Sequence, residues 1–435
     1  MAPCERKGLR GNATRKRSRL TDAAVEDRFA WWRESTTAGR KALAAASCGW
    51  MLDSFDVMLY ALVVASLIVD LGLSKQTAGV LGSITLLSAA VGGLFFGAIA
   101  DRYGRTRALI WSMLIYAVFT AACGFAQSIV ELAAFRILLG FGMGGEWASG
   151  AALVAETWSD KHRGKALGIM QSSWAIGYAL AALVAGIVLP WKGWRAVFFV
   201  GIVPAFFTLA IRRGVEEPEV WRRAAALPFT GAKNGFRRIL QRDLRAKTIA
   251  VTCMNACTLF AWWGFNIWVP AYLSLPRDRG GVGLSVHAMS ATVILMQVGM
   301  WFGYVSFGFL SDVFGRKRCY IAYLFMAALL IFAYGRIHTP WTLVVLGPLL
   351  AFFGTGYFSG FATVTAELYE TRIRATAQGF TYNVGRVASA AAPFTVGSMA
   401  QKHGFGVAFA ASGVAFLLAM LCWVWIPETK GTTIS

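Results

Sequence analysis

The chain holds 435 residues, of which 57% are hydrophobic and 15% charged, with a mean hydropathy of +0.55. A soluble domain carries about 25% charged and about 45–50% apolar residues, so water-soluble folds, disordered or collagen-like chains and disulfide scaffolds are excluded. The net charge of +20 would suit nucleic acid only on a soluble basic face; most basic residues lie instead in short pieces between apolar runs, and no nucleic-acid partner is expected.

Residues 1–41 are polar and basic and lack the apolar core of a secretory signal. Six apolar runs follow, at 42–69, 77–100, 108–126, 130–155, 166–189 and 194–211. Each approaches the length of about 20 residues that crosses a bilayer. A charged stretch at 212–247 reads as a central loop, and six more runs occupy 248–273, 287–311, 319–337, 341–366, 376–400 and 405–427, before a short tail at 428–435. The pattern predicts an all-α membrane protein with twelve transmembrane helices in two bundles, 42–211 and 248–427.

With both termini in the cytoplasm, 33 Lys and Arg fall on the inner side and 7 on the outer, as the positive-inside bias requires. The excess positive charge then faces anionic lipid at the inner membrane. Seven cysteines form neither a close-spaced disulfide ladder nor a zinc-type CxxC pattern. Cys253 and Cys257 share a helix face at i, i+4 and read as small packing residues. His162, His287, His338 and His403 are scattered near loops. No metal, cofactor or enzymatic pattern is expected.

A repeat runs at an offset of 211 residues. GAIADRYGRTR, with Gly97, Asp101, Gly104, Arg105 and Arg107, returns as GFLSDVFGRKR, with Gly308, Asp312, Gly315, Arg316 and Arg318. The same offset carries Glu156 to Glu367, Arg163 to Arg374 and Gly168 to Gly379. Matches at separate loops on one offset indicate two six-helix halves in parallel repetition.

GAIADRYGRTR resembles the signature loop of the major facilitator superfamily, and Arg136 with Gly140, Gly142, Gly144 and Gly145 resembles the fourth-helix motif of its proton-linked branches. LDSFD at 52–56, GGEW at 144–147 and YNVGR at 382–386 are most similar to the sialate:proton symporters and their metabolite and aromatic-acid relatives. PETKG at 427–431 and EPEVW at 217–221 resemble pieces of sugar porters. The resemblance implies that an aspartate of the first-helix motif and the fourth-helix Arg take part in proton coupling, and that helices one, four, seven and ten line the cavity.

Charged residues within spans are costly and face a cavity or one another. At 1.5 Å per residue, Asp53 sits about 16 Å into helix one and Asp56 a turn further. Arg136 enters helix four at a depth Asp56 can meet, and Glu146 lies about 15 Å deeper. Their counterparts in the second half are Gly264, Ile267, Gly347 and Tyr357, none of them charged. Repeated residues therefore read as framework and the unrepeated charges as proton-coupling candidates, Asp56 foremost; a static ion pair between helices one and four is the alternative. A carboxyl group beside a cation releases its proton more readily than one alone in a dry site, which gives a carrier its state dependence.

Arg386, about 15 Å into helix eleven, can hold a carboxylate by a bidentate pair, with Asn383 one turn away. The alternative is pairing with Asp53, Glu146 or helix carbonyls. Trp262 and Asn266 on helix seven, Tyr357 and Gln171 complete the expected substrate contacts. The stretch CMNACTLFAWWGFN lacks the paired glutamines of sugar porters. Asp101, Arg105, Arg107, Glu156 and Arg163, with Asp312, Arg316, Glu367 and Arg374, are expected to form gating ion pairs at the cytoplasmic end. The reading is a monomeric, proton-coupled symporter of a small monocarboxylate such as a sialic, lactic or aromatic acid; a sugar or polyol symporter and a proton-coupled exporter are the rivals.

Overall fold

The computed structural model describes residues 30–159, 162–203, 206 and 237–430; within its helices the side chains of Ala30, Asp101, Arg105, residues 147–149, 152, 362, 366, 371–372 and 374–375 are not described. The described residues are helical and contain no strand. After a single helical turn at Ala30–Arg33 come α1 (Thr37–Asp70), α2 (Lys75–Tyr103), α3 (Arg105–Phe125), α4 (Ile129–Thr157) and α5 (Arg163–Val200). The later part of the chain forms α6 (Arg242–Ser274), α7 (Val286–Phe314), α8 (Arg316–Tyr334), α9 (Pro340–Thr355), α10 (Phe358–Leu368), α11 (Thr371–Ser389), α12 (Ala392–His403) and α13 (Phe405–Cys422).

Nine stretches of described helix are long and apolar enough to cross a membrane. The expected helix boundaries shift where backbone chemistry decides them. The fifth and sixth runs join in α5, turning only at Gly193 (φ 73°), three residues after Pro190. The run at 341–366 breaks into α9 and α10 at Gly356 and Tyr357, and the run at 376–400 breaks into α11 and α12 at Ala390–Ala391. Hydropathy follows side chains, so it reads through such breaks without registering them.

Serine and threonine caps set where several helices begin. Thr36, Ser74, Ser128 and Ser285 accept hydrogen bonds from the N–H groups of Gly39, Thr77, Glu131 and Ala288, satisfying donors that a helix start leaves free. Single-residue turns at Gly104 (φ 112°, ψ 152°) and Gly315 (φ 96°, ψ 151°) join α2 to α3 and α7 to α8. Positive φ of this kind favours glycine, and the two repeat copies share one backbone shape. Between α2 and α4 the backbones nearly touch: a Cβ on Gly144 would lie 2.0 Å from the Ala89 carbonyl oxygen.

The two parts of the chain meet through α1 with α6, α5 with α7, and α2 with α12. At the end of the bundle opposite the GAIADRYGRTR loop, Lys75 Nζ donates to the Arg279 carbonyl (2.8 Å) and the Ala400 carbonyl (3.4 Å) and lies over the Phe405 ring. The Lys75 backbone N–H donates to Gln401 Oε1 at 3.1 Å. Apolar side chains such as Leu94, Phe95 and Phe309 point outward and stand more than half exposed, as a lipid-facing surface requires.

Candidate functional site

The site is a small aromatic cavity with a single guanidinium on its wall, partly open to the outside. α1 contributes Trp50, α5 Gln171 and Trp174, α6 Trp262 and Trp263, α7 Tyr304, α10 Phe358, and α11 Tyr382 and Arg386. Helical spacing explains the convergence: Gln171 and Trp174 are three residues apart, and Tyr382 and Arg386 four, so each pair shares one face. The indole rings pack edge to face or tilted, Trp50 on Trp174 at 4.6 Å, Trp174 on Trp262 at 5.5 Å, and Trp262 on Trp263 at 4.6 Å. Aromatic walls with few convergent polar groups suit a small organic ligand.

Arg386 is 6% exposed. Asp53 lies within Coulombic range of both Arg386 and Glu146, and Asp56 within range of Asp53. Asp53, Asp56, Arg136 and Glu146 are all buried. Among the described residues no ion pair closes between Asp53 and Arg386, or between Asp56 and Arg136. Instead Arg136 stacks on the ring of Tyr60 at 3.7 Å and donates through Nε to the Leu81 carbonyl at 3.2 Å. Tyr60 lies one turn beyond Asp56, so α1 does present the expected face to Arg136, but through an aromatic ring. One oxygen each of Asp53 and Asp56, and Nη1 of Arg136, are buried without a hydrogen-bond partner among the described residues.

Of the other expected contacts, Gln171 and Trp262 stand on the cavity wall. Asn266 lines a second, mostly apolar pocket and holds the helix together, donating to the Trp262 carbonyl at 3.1 Å while its own carbonyl accepts from Tyr178 at 3.2 Å. Asn383 is not on the cavity wall: it donates back to the Gly379 carbonyl at 2.9 Å. Tyr357 sits behind Phe358 at the break before α10, its carbonyl accepting from Tyr320 at 2.8 Å. Sequence reasoning missed Trp50, Trp174, Tyr304 and Phe358 on the wall. Trp50 lies three residues before Asp53, and that shared face was the available signal.

Expected gating residues assemble at the loop-motif end. Arg316 pairs with Asp312 one turn back on α7 and with Glu367 Oε1 at 3.3 Å on α10. Thr429 donates to Glu367 Oε2 at 2.5 Å. Glu428, of the PETKG run, accepts from the backbone N–H groups of Arg316 (2.8 Å), Lys317 (3.2 Å), Thr429 (3.0 Å) and Lys430 (3.0 Å). This network lies wholly within the later half and coexists with the Lys75 contacts at the opposite end. Arg107, Glu156 and Arg163 are each engaged by neighbouring groups. The side chains of Asp101, Arg105 and Arg374 lie outside the described residues.

Known proteins resemble the chain along nearly its whole length. A protein of Cupriavidus pinatubonensis (strain JMP 134 / LMG 1197) named "Probable 4-methylmuconolactone transporter" is 34% identical, covering 93% of this chain and 94% of its own. Sialic acid transporter NanX of Escherichia coli (strain K12) is 28% identical over 92% of this chain and 97% of its own. Among solved structures, a D-xylose-proton symporter superposes with a TM-score of 0.72 at 20% identity, covering 90% of this chain and 99% of that one, which speaks to the fold alone. The family model for the Major Facilitator Superfamily matches residues 46–306 and 279–435, and the chain belongs to that family of membrane transporters.

Proposed function

We propose that the protein is a proton-coupled symporter of a small organic anion, working by alternating access as a twelve-helix monomer of the inner membrane with both termini in the cytoplasm. The halves are 42–211 and 248–427, joined by the loop at 212–247. One observation carries the reading: a buried guanidinium, Arg386, on the wall of an aromatic cavity, with the carboxylate of Asp53 in Coulombic range. A fixed cation in a dry aromatic site favours a carboxylate ligand. The compounds in the names of the two relatives, a muconolactone and sialic acid, both bear a carboxyl group, which supports the same class.

In this scheme Arg386 binds the substrate carboxylate, with Gln171 and the indole rings fixing its body. Asp56 takes the proton on one side of the membrane and gives it up on the other, with Arg136 favouring its release, and Asp53 and Glu146 complete the buried acid set. The Asp312–Arg316–Glu367 network and its counterpart around Asp101, Arg105, Arg107, Glu156 and Arg163 hold the cytoplasmic ends of the helices during the exchange.

The test is counterflow in proteoliposomes with labelled carboxylic acids and sugars, with and without an imposed pH gradient. Acid-selective, gradient-driven uptake is expected, with a raised Michaelis constant in Arg386→Lys and abolished substrate-driven proton influx in Asp56→Asn. Sugar uptake, or proton influx unchanged in Asp56→Asn, refutes the reading.

A further inference from the structure

Beside the aromatic cavity lies a small, mostly apolar pocket with room for little more than a water molecule, lined by Met296, Met300, Ile331, Leu350 and Phe416 among others. It carries no charged group. The two spaces follow the same helices. On α7, Met300 lines the apolar pocket and Tyr304, one turn on, the aromatic cavity; across the break between α9 and α10, Thr355 lines the first and Phe358 the second. Among the described residues they share a single wall, Trp262. Its ring is held edge-on by Trp263 at 4.6 Å and by Phe358 at 6.4 Å, and its indole N–H is buried without a partner. The indole is thus fixed by ring packing alone, with no hydrogen bond tying it across the gap.

We propose that Trp262 is the specificity-determining partition of the site: it caps the length of an anion anchored on Arg386 by shutting the substrate's tail out of the apolar pocket. The proposal rests on the anion reading above and adds to it a rule for size. With the indole present, an acid bound at Arg386 ends against the Trp262 ring. With the indole removed, an apolar tail takes the space the ring vacates and abuts two methionines, Met296 and Met300, which adapt readily to irregular shapes. Each methylene that gains this burial is worth roughly fourfold in affinity.

Counterflow in proteoliposomes with the series benzoate, phenylacetate, 3-phenylpropionate and 4-phenylbutyrate reads the rule directly. Wild type is expected to favour the short members. Trp262→Ala is expected to move the optimum two or three carbons longer, changing the ratio of kcat/KM for 4-phenylbutyrate over benzoate by more than tenfold. Trp262→Phe is expected to lie between, so the trend survives if the alanine variant folds poorly. Narrowing the pocket by Gly354→Ala, where the added Cβ meets nothing closer than 3.8 Å, is expected to reduce the shift in the Trp262→Ala background. An equal loss for every acid in both Trp262 variants with the optimum unmoved overturns the partition while leaving the anion reading intact. Wild type that takes up none of the four acids, nor sialic acid, overturns both.

Discussion

The tail residue Glu428 caps a helix that it does not belong to, and removing it isolates what that contact contributes. Its carboxylate accepts the N–H groups of Arg316 and Lys317, the first two residues of α8, and of Thr429 and Lys430 in the tail itself. The preceding cap residue, Gly315, has no side chain to do this. Loss of a side-chain cap costs about 0.5–2 kcal/mol, and a carboxylate on the positive end of a helix adds about 0.3–1 kcal/mol. Glu428 is solvent-exposed, so screening places Glu428→Ala near the lower end, about 1 kcal/mol. That corresponds to roughly fivefold faster amide exchange confined to residues 311–320 and the tail, read by hydrogen–deuterium exchange in detergent, with Glu428→Gln between. Burial alone would raise the Glu428 pKa, but the four N–H donors outweigh it and hold the group below the usual range. A depressed pKa gives stabilisation that is present above the unfolded value of about 4.3 and is lost as pH falls through the lower folded value. The difference between Glu428→Ala and wild type is therefore constant from pH 7 to pH 5 and vanishes only under acid. Exchange unchanged at 311–320, or raised equally throughout the chain, refutes the capping role.

Three further outcomes follow from the packing. Lys75→Met removes the ammonium that bridges to the Arg279 and Ala400 carbonyls; a cysteine placed at Gln401 is expected to react several-fold faster with an impermeant maleimide, and an unchanged rate counts against a latch there. Gly144→Val places a side chain where even a Cβ lies 2.0 Å from the Ala89 carbonyl oxygen, so overpacking of about 1–3 kcal/mol or more is expected as a fall in the detergent melting temperature. Gly168→Ala, with nothing within 4 Å of its Cβ position, is the control and is expected to leave that temperature unmoved. Tyr320→Phe deletes a buried donor to the Tyr357 carbonyl at 2.8 Å and is expected to cost about 1–3 kcal/mol, again as a lower melting temperature; equal melting of the two proteins would show that the break before α10 is held by ring packing instead.

What the sequence disclosed and what it concealed divide along a physical line. Apolar run length, charge asymmetry and the 211-residue offset are properties of single residues summed along the chain, and they foretold a membrane-spanning helical bundle; the family came from the resemblance of the GAIADRYGRTR loop and its companion motifs. The turns at Gly104 and Gly315 repeat even their φ and ψ, because the same one-residue link between helices was copied with the repeat. Arg386 and Gln171 were legible as cavity residues because a charge or amide inside an apolar run stands out, and Trp262 because the resemblance puts the helix that carries it on the cavity. Trp50 and Trp174 were not: in a membrane protein an indole is as much at home against lipid as against a ligand, and only the crossing of α1 with α5 turns these two inward. The same limit explains Arg136. Spacing gave the depth at which helix one must meet it, but depth is blind to angle, and the angle of α1 brings Tyr60 under the guanidinium where Asp56 was expected. That difference bears on mechanism. A guanidinium held by a ring face and one carbonyl keeps an open donor, Nη1, so a carboxylate arriving from Asp56 would find a partner without first having to displace one. A preformed ion pair would make the same carboxylate costly to protonate; in the proposed coupling scheme an unfilled one leaves Asp56 open to either the proton or the guanidinium.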